Sequence, residues 1–574
     1  MSDKNRKTLK GKSFYFEDYK ESEIVFDNKN KNYLKVSLNR VSFLFFIFTS
    51  LIIIFCLKII YLSIYAENDS FFQKSQHDFF KKRADIVDRN GNILARNIDI
   101  YDAGIRPQLV TDKKKLLINL RLIFPELNFE KVEKKLEKNK FFYIKRTLTE
   151  DEKTQLWLLG NKSLEFIKRQ SRIYPQRSLF SHVIGQIDDE NIGISGVEKF
   201  FDNNLKKNNQ TNHPLYLTLD SNLQHIIREE LLEAKNNFKT VGSAALLMDV
   251  NTGEILSLVS LPDYDLNKRS LINEDIYTNK ITKGVYELGS VFKTFTIAAA
   301  LENKIINSNT IFENLENKIS CSGRVISEHD DLPKNLSTEQ ILIRSSNIGA
   351  IRIAQKIGVE KYEKFLNTLE LFKKIDFDIE EIGTPLPFRW GKCKLATASF
   401  GHGITTTPLQ LARAYAILGN GGYKIEPTII KKEARLSNQK KQIISYETSL
   451  TINSILRKVV SNKEGTANFA DIDGYNVAGK TGTALKSING VYTKKKFNTF
   501  VSLFPSQKPK YVLLTILDEP QPAPEFIYEF PNGYKHKGEK RNTSGWNTVV
   551  VAGKIIEKIG PILAINNLQA SKNF

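Results

Sequence analysis

A long apolar segment near the N-terminus places the strongest constraint on how this chain can fold. Residues Val41–Tyr65 read VSFLFFIFTSLIIIFCLKIIYLSIY, and Lys58 carries the only charge in these 25 residues. The length matches the hydrocarbon thickness of a bilayer, and tyrosines lie at the exit, as in membrane-spanning helices. A cleaved signal peptide is disfavoured because its apolar part would be shorter, and no small-x-small cleavage site follows here. We therefore predict one transmembrane anchor over residues 41–65.

The charges that flank this segment indicate its orientation. Four basic residues lie in the fifteen positions before it and one in the fifteen after it: Lys29, Lys31, Lys35 and Arg40, then Lys74. Because basic residues favour the cytoplasmic side, residues 1–40 are expected to be a cytoplasmic tail. The rest of the chain is expected in the periplasm, or outside the cell, anchored in the inner (plasma) membrane.

The composition excludes several classes of protein. A chain of 574 residues with 41% hydrophobic residues is too long for one domain and has enough apolar residues for sizeable cores. Its net charge of +20 comes from lysines spread along the whole chain rather than from basic stripes, so no nucleic-acid partner is expected. The three cysteines fit neither a disulfide framework nor a zinc site, and they leave open whether Cys321 and Cys393 pair. We expect no metal and no cofactor.

The region after the anchor has the pattern of an accessory domain. Alternating apolar residues around Asn90-Gly91 predict a β-hairpin in Arg83–Ala95. Residues Lys113–Lys168 have a helical and heavily charged pattern, whereas Arg172–Leu205 contains strand-like and turn-like stretches punctuated by glycines. No nucleophile, base and oxyanion donors converge in this region, so it is not expected to be catalytic.

A second domain is predicted to begin near Leu215, and its pattern is that of an α+β fold. The predicted elements are a strand at Leu215–Asp220, a helix capped by Asp220 or Ser221, a hairpin of Ser243–Val250 and Glu254–Leu261, a buried helix from Ser290, strands at Asn498–Pro505 and Tyr511–Asp518, and a helix at Thr548–Ile559 that Gly560-Pro561 ends. We expect a mostly antiparallel sheet covered by helices, with one long helix buried behind it.

The run SVFKTFTIAAALENK, which begins at Ser290, predicts this central helix because it is apolar nearly all round. Lys293 lies three residues after Ser290, so the ammonium and the hydroxyl share one helix face. A desolvated lysine can lose its proton near neutral pH and act as base for a serine, while free N–H groups at the helix start can hold an oxyanion. The alternative is a serine N-cap beside a lysine that reaches solvent.

Two further short motifs follow in order, Ser345-Ser346-Asn347 and Lys480-Thr481-Gly482-Thr483. Each motif is weak alone. Together they predict that two lysines and two hydroxyls converge in one cationic cleft, which suits an acyl donor that ends in a carboxylate. This ordered set is typical of penicillin-binding proteins and serine β-lactamases.

The chain resembles a class B penicillin-binding protein, a membrane-anchored peptidoglycan D,D-transpeptidase. The resemblance runs from the anchor to about residue 565 and rests on RADIVDRNGNILA, GISGVEKFFD, LTLDSNLQ, MDVNTGEIL, YELGSVFK, RSSNIGA, GHGITTTPLQLA, EGTA and VAGKTGTA. It implies an elongated α+β pedestal of the dimerisation type over residues 66–214. It also implies a transpeptidase domain with a serine-β-lactamase-like fold over 215–565, and a short tail over 566–574.

The resemblance also implies a role for each motif residue. Ser290 is expected to attack the penultimate D-alanine carbonyl of a stem pentapeptide, with Lys293 as its base. Ser345, with Lys480, is expected to pass a proton to the departing D-alanine and later to take one from the incoming amine. Asn347 is expected to orient Lys293 and the substrate amide, and the N–H groups of Ser290 and Thr483 to form the oxyanion hole. The terminal carboxylate is expected to be bound by Lys480, Thr481 and Thr483. Gly482 is expected to keep the strand free of an obstructing side chain.

Three other functions are weighed against this one. A β-lactamase needs a carboxylate that activates water, and Glu363 lies in a matching E-x-x-L-N pattern. Its place on the amphipathic helix Val359–Leu371 predicts instead that it faces solvent. A β-lactam sensor would need further spans or a cytoplasmic effector, and a catalytically dead scaffold would lack motif residues. Carboxypeptidase activity is expected only as a side reaction, in which water replaces the amine.

Stretches outside the motifs resemble the division type of class B protein rather than the elongation type. These are SFGHGITTTPLQLARAYAIL and the C-terminal Thr543–Ile565, together with a second motif that is Ser-Ser-Asn rather than Ser-Cys-Asn. The resemblance therefore implies septal cross-linking of stem peptides and binding of β-lactams. It implies a membrane-embedded glycan polymerase and other division proteins as partners. An elongation role is the alternative.

Overall fold

The computed structural model describes residues 33–65, 83–208, 213–268, 274–321, 323–431, 441–488, 490–529, 533–538 and 541–572. Residues 1–32 of the predicted tail, residues 66–82 of the predicted pedestal and the last two residues, 573–574, lie outside the described residues. Contacts within the chain form two units, Met1–Asp78 and Phe79–Phe574.

In the first unit, the apolar segment forms helix α1 (Tyr33–Tyr65). Its residues Val41–Tyr61 have a mean hydropathy of 2.8, and none of the most apolar window is buried in protein. By length and composition, this helix can cross a membrane. It begins before the predicted residue 41 because the preceding YLKVSLNR contains no glycine or proline to stop a helix.

The first part of the second unit is an α+β lobe built around one long strand. Its elements are strands β1 (Ile86–Val87), β2 (Ile93–Ile105), β3 (Phe142–Lys145), β4 (Leu164–Ile173) and β5 (Leu215–Tyr216), and helices α2 (Lys113–Ile123), α3 (Phe129–Glu137), α4 (Glu150–Leu158), α5 (Ser181–Ile184), α6 (Gly196–Phe200) and α7 (Asp202–Asn208). Strand β2 pairs antiparallel with β1, β3 and β4, and β1 pairs in parallel with β5. The predicted hairpin at Asn90-Gly91 is confirmed.

Two stretches of this lobe differ from their prediction. Between Lys113 and Lys168, strand β3 and the start of β4 accompany the three helices. The prediction missed these strands because the sequence there is highly charged and has helical spacing. In Arg172–Leu205 only the start belongs to a strand, and short helices follow. Helices of four to seven residues are too short to show a 3.6-residue period.

Two of the quoted sequence stretches are joined by buried charges. Arg83, which opens RADIVDRNGNILA, is fully buried and donates to Glu198 Oε2 at 2.9 Å and to Asp202 Oδ1 at 2.5 Å. Both acids belong to GISGVEKFFD, and Arg172 donates to the other oxygen of Glu198 at 2.7 Å. Because a buried charge needs a partner, each stretch holds the other in place.

The rest of the second unit is an antiparallel sheet covered by helices. Its strands are β6 (Gly242–Asp249), β7 (Ile255–Leu261), β8 (Ile311–Phe312), β9 (Lys318–Cys321), β10 (Arg324–Ser327), β11 (Leu336–Ser337), β12 (Ala478–Ile488), β13 (Val491–Phe504), β14 (Tyr511–Asp518), β15 (Ile527–Glu529) and β16 (Lys535–Lys537). The main sheet has the order β12-β13-β14-β6-β7, with every pair antiparallel. The predicted hairpin β6–β7 and both predicted strands in β13 and β14 are confirmed.

The covering helices are α8 (Ser221–Phe238), α9 (Glu274–Tyr277), α10 (Phe292–Glu302), α11 (Thr338–Ile343), α12 (Asn347–Ile357), α13 (Val359–Thr368), α14 (Lys392–Ala398), α15 (Pro408–Gly419), α16 (Tyr446–Ser461) and α17 (Thr548–Lys572). Every residue of α10 from Phe292 to Ala300 is buried, which confirms the central helix. Asp220 caps α8 by accepting from the N–H groups of Asn222 and Leu223. The α+β class is confirmed.

The C-terminal helix continues past the predicted stop at Gly560-Pro561. Helix α17 runs to Lys572 with Pro561 inside it, because a proline removes only one helical hydrogen bond and Leu563, two residues further on, is still buried. A Cβ at Gly560 would lie 2.1 Å from the ring of Tyr475, so this glycine serves close packing. The prediction that the pair ends the helix is wrong.

Hydrophobic packing crosses the predicted boundary at residues 214/215. One large buried cluster includes Ile86 and Val183 before that point and continues to Leu563, whereas a smaller second cluster lies within residues 103–164. The lobe that carries β1 therefore shares its core with the main sheet. The division at 214/215 stays a prediction.

A disulfide joins Cys321, at the end of β9, to Cys393 in α14, with 5.6 Å between the Cα atoms. The pairing that the sequence left open is thus present. It ties the hairpin β9–β10 to the helical part of the unit across a sequence separation of 72 residues.

We expect the Cys321→Ser/Cys393→Ser double variant to be less stable by about 2–4 kcal/mol, because the cross-link restricts the unfolded chain. Thermal and urea unfolding of the full chain in detergent measure this loss. Cys56→Ser, in α1, is the matched control and should leave the unfolding transition unchanged. Equal stability of the double variant and the wild type would contradict the expectation.

Candidate active site

Ser290 lies in a tight turn that leads into the buried helix. Residues Gly289–Val291 form a 3-10 turn, and α10 follows at Phe292, so the serine lies just before the helix rather than at its first position. Gly289 has φ +65°, and a Cβ there would lie 2.7 Å from the carbonyl oxygen of Thr483. Only glycine combines this left-handed conformation with so close an approach of strand β12.

Lys293 is completely buried one turn further along. Its Nζ lies 2.5 Å from the main-chain oxygen of Ser345 and 3.1 Å from its Oγ. Burial lowers the pKa of Lys293 to about 7, and the charge of Glu328 opposes this effect. A neutral amine that donates both N–H bonds to Ser345 keeps one lone pair, which can accept a proton. The alternative of a lysine that reaches solvent is wrong.

Ser345 connects the two lysines of the motifs. It lies between α11 and α12 with φ +59°, a left-handed conformation that is strained for a serine and frequent at functional sites. Its Oγ lies 3.1 Å from Nζ of Lys293 and 2.9 Å from Nζ of Lys480. One hydroxyl therefore stands between two amines, and a proton can pass along this chain of hydrogen bonds.

Lys480 is held inside the protein by the strand that carries the third motif. Its Nζ also donates to the main-chain oxygen and to Oγ1 of Thr481, each at 3.2 Å. Burial, together with the charge of Lys293, holds the pKa of Lys480 well below its usual range. Both lysines can therefore give up a proton far more readily than a lysine in water.

Strand β12 is an edge of the main sheet. Side chains alternate along a strand, so Thr481 and Thr483 line the cleft while Lys480 points inward. Gly482 also faces inward, where a Cβ would lie 2.3 Å from the carbonyl oxygen of Leu288. This glycine allows the catalytic turn to pack against the strand, which is a different reason from the predicted one. A contact of Gly482 with substrate stays a prediction.

Asn347 is buried at the start of α12. Its Nδ2 donates to the main-chain oxygen of Ser327 at 3.0 Å, and its Oδ1 accepts no hydrogen bond from any described residue. Among the described residues, Lys293 donates to Ser345 and not to this amide. The predicted orientation of Lys293 by Asn347 stays a prediction.

The motif residues meet at one cleft of about 970 Å³. Ser290, Ser345, Thr481 and Thr483 line it, and Lys293 and Lys480 lie beneath them. Its rim carries the basic residues Arg344, Lys463, Lys496 and Arg541 and the acidic residues Glu328 and Asp330. The basic residues of this lining outnumber the acidic ones, so the cleft is cationic; the prediction instead attributes this charge to Lys293 and Lys480, whose pKa values burial lowers.

Sequence reasoning missed Glu328, which follows β10 and contacts the second motif. Its carboxylate accepts hydrogen bonds from Ser346 and from two N–H groups of α12. No local sequence pattern distinguishes this acid from the other charged residues near the hairpin, because its contact with the second motif depends on how the hairpin packs on α12.

Glu363 lies away from the cleft, as the amphipathic pattern of its helix predicts. It borders a shallow depression with Glu360, Lys364, Asn367 and Thr368, none of which belongs to the three motifs that meet at the cleft. Tyr362 and Phe365 face the core instead. The position that a β-lactamase needs for its water-activating carboxylate is thus not filled by Glu363.

Two family models match the chain. The model of the penicillin binding protein transpeptidase domain matches residues 243–536, and that of the penicillin-binding protein dimerisation domain matches residues 81–213. The chain belongs to the penicillin-binding proteins. The resemblance found in the sequence is confirmed.

Curated relatives of this penicillin-binding protein match it over most of their length. A probable peptidoglycan D,D-transpeptidase FtsI of Caulobacter vibrioides is 31% identical, over 84% of this chain and 82% of that protein. A peptidoglycan D,D-transpeptidase FtsI of Buchnera aphidicola is 30% identical, over 86% and 94%. Penicillin binding protein 3 from Mycobacterium tuberculosis, solved with aztreonam, covers 85% of this chain and 96% of its own, with a TM-score of 0.63 and 21% identity. That last likeness shows the shared fold.

Proposed function

We propose that this penicillin-binding protein is a serine D,D-transpeptidase that cross-links peptidoglycan stem peptides through an acyl-enzyme on Ser290, at the division septum. The observation that carries the chemistry is the position of Ser345 Oγ, within hydrogen-bond distance of both Lys293 and Lys480, in the cleft that Ser290 lines. The names of the relatives, peptidoglycan D,D-transpeptidase FtsI, support the substrate and the reaction.

In the first half-reaction, Ser290 Oγ attacks the carbonyl carbon of the penultimate D-alanine. The neutral amine of Lys293 takes the serine proton as the new C–O bond forms. N–H groups of Ser290 and Thr483 hold the oxyanion. The C–N bond then breaks, and the nitrogen of the departing D-alanine receives a proton through Ser345, supplied by one of the two lysines that contact its Oγ. The products are free D-alanine and an ester on Ser290.

In the second half-reaction, an amine from another stem peptide attacks the ester carbonyl. Ser345 passes a proton of that amine to a neutral lysine and an amide forms. The C–O bond to Ser290 breaks, and Ser290 Oγ takes a proton from Lys293, which restores the free serine. Atoms and charges balance, with one D-alanine released for each cross-link. Water in place of the amine gives carboxypeptidase activity as a side reaction.

The edge position of β12 supports the proposed binding of the donor peptide. Unpaired main-chain groups of an edge strand can pair with an extended peptide, which then lies as an added strand. Thr481 and Thr483 line the cleft beside it, where their hydroxyls can bind the terminal carboxylate, with the amine of Lys480 beneath them. A β-lactam presents a strained carbonyl and a carboxylate in similar positions, so it acylates the same serine.

The septal assignment rests on SFGHGITTTPLQLARAYAIL and Thr543–Ile565, which resemble the division type. Among the described residues, α1 is the one helix long and apolar enough to cross a membrane, which supports a single membrane pass. The flanking charges support a cytoplasmic N-terminus and a catalytic part outside the inner membrane. The region 66–214 serves as a pedestal, and the partners are a membrane-embedded glycan polymerase and other division proteins. Ser42, Thr49 and Ser50 give α1 a small polar face for helix packing.

Depletion of the protein in its host, with complementing copies, tests both parts of the proposal. We expect long filaments with incomplete septa, and a tagged copy concentrated at midcell. A wild-type copy should restore division, whereas a Ser290→Ala copy at equal abundance should not. Rounded cells with label along the side wall would indicate an elongation role. Full rescue by Ser290→Ala would contradict the acyl-transfer role.

A further inference from the structure

The carboxylate of Glu328 closes the N-terminal end of the helix that carries Asn347. It accepts hydrogen bonds from Ser346 Oγ at 2.6 Å, from the N–H of Asn347 at 2.7 Å and from the N–H of Ile348 at 2.9 Å. The first N–H groups of a helix have no partner within it, and a negative charge there is favourable. Glu328 thus satisfies them from a different part of the chain.

The residue before Glu328 holds the side chain of Asn347. The main-chain oxygen of Ser327 accepts from Nδ2 of Asn347 at 3.0 Å, while Glu328 accepts from its main-chain N–H. Two neighbouring residues of one hairpin therefore fix both the backbone and the amide plane of the motif asparagine. This leaves its Oδ1, which accepts from no described residue, as the free acceptor of the amide.

Glu328 also acts on the catalytic lysine through its charge. Within the described part of the chain, the charged or titratable groups that interact with Lys293 are Glu328, Lys480 and His329. Burial favours the neutral amine of Lys293, whose charge in turn lowers the pKa values of Lys480 and His329. The negative charge of Glu328 opposes the effect of burial and raises the pKa of Lys293. Without Glu328, the lysine would be a weaker base.

We propose that Glu328 is a positioning residue for acyl transfer: it holds Asn347 in place at the cleft and keeps a negative charge beside the second motif. This proposal rests on the proposed acylation of Ser290, and it adds a residue that lies in none of the three motifs. Glu328 acts through Asn347 and Lys293 and not on the substrate. Two consequences separate this role from that of a simple helix cap. The first is a change in the pH dependence, and the second is rescue by a residue that keeps the charge.

The test measures the rate of acylation by a fluorescent penicillin from pH 5 to 9, with the full-length protein in detergent. In Glu328→Gln, the amide oxygen can still accept a hydrogen bond, but the charge is lost. We expect the midpoint of the acid limb to move roughly one unit to lower pH. The plateau should fall about tenfold, because a base of lower pKa is weaker and Asn347 is held less firmly.

Two variants serve as controls. Glu328→Asp keeps the charge, so its midpoint should stay at the wild-type pH even though its plateau falls. Asp330→Asn removes a charge from an exposed residue on the rim of the same cleft, and we expect no shift. Thermal unfolding of each variant checks the fold. If Glu328→Gln does not fold, the Asp variant decides, since a moved midpoint in it would overturn the proposal.

The proposal would also be overturned by an unchanged midpoint in folded Glu328→Gln. A shift in Asp330→Asn as large as that in Glu328→Gln would overturn it as well. Failure of the wild type to form an adduct on Ser290 would instead refute the proposed function. If the wild type acylates normally and the Glu328→Gln variant has the same rate and the same pH midpoint, only the role of Glu328 is refuted.

Discussion

We expect the Ser290→Ala variant to form no covalent adduct with a labelled penicillin. The hydroxyl of Ser290 is the nucleophile at the cleft, and a methyl group cannot form the ester. Loss of the nucleophile in a serine enzyme costs roughly 10⁶-fold in rate, which is below detection here. Intact-mass spectrometry should show one adduct on the wild type and none on the variant.

Tryptic digestion locates that adduct. Cleavage after Lys283 and Lys293 gives GVYELGSVFK, in which Ser290 is the single serine and no threonine is present. Ser445→Ala, at the start of α16, is the matched control because it removes a serine hydroxyl away from the cleft lining. An adduct on another peptide of the wild type, or full acylation of Ser290→Ala, would refute the assignment.

The Lys293→Ala variant should acylate at least about 10²-fold more slowly, the lower range for loss of a general base. The amine takes the proton of Ser290 during attack, so the rate constant at saturating penicillin should fall more than the binding constant changes. Stopped-flow measurement of acylation over a range of penicillin concentrations separates the two.

The pH profile of the wild type provides a second measure of the same role. The amine is the active form, and the pKa of Lys293 is about 7. The rate should therefore rise with pH through about 7 and fall by about tenfold for each unit below it. Lys361→Ala, an exposed lysine of α13, should leave both rate and profile unchanged. A Lys293→Ala variant at near wild-type rate would contradict the role of base.

Short patterns predicted the parts of this fold whose signal is local. The hairpin at Asn90-Gly91, the hairpin β6–β7 and the buried helix α10 each combine the right residues with the right period, and all are confirmed. The ordered motifs also predicted which side chains meet. Ser345 and Lys480 are distant in sequence but 2.9 Å apart between Oγ and Nζ.

The remaining features depend on packing that no short window contains. Pro561 is tolerated because the helix around it is buried against the sheet, not because of its neighbours in sequence. Gly482 is needed by the approach of Leu288, and Glu328 reaches α12 only after its hairpin folds over that helix. The short helices between Ser181 and Asn208 are likewise held by tertiary contacts rather than by their own periodicity.

The disulfide between Cys321 and Cys393 has a consequence for biogenesis. The sequence contains three cysteines, and the third, Cys56, lies within the apolar helix α1. In a membrane, lipid would surround that thiol, so with the orientation proposed above the other two cysteines have a single intramolecular pairing available. In that orientation the chain would need an oxidant after export but no isomerase, since no wrong intramolecular bridge exists to be corrected.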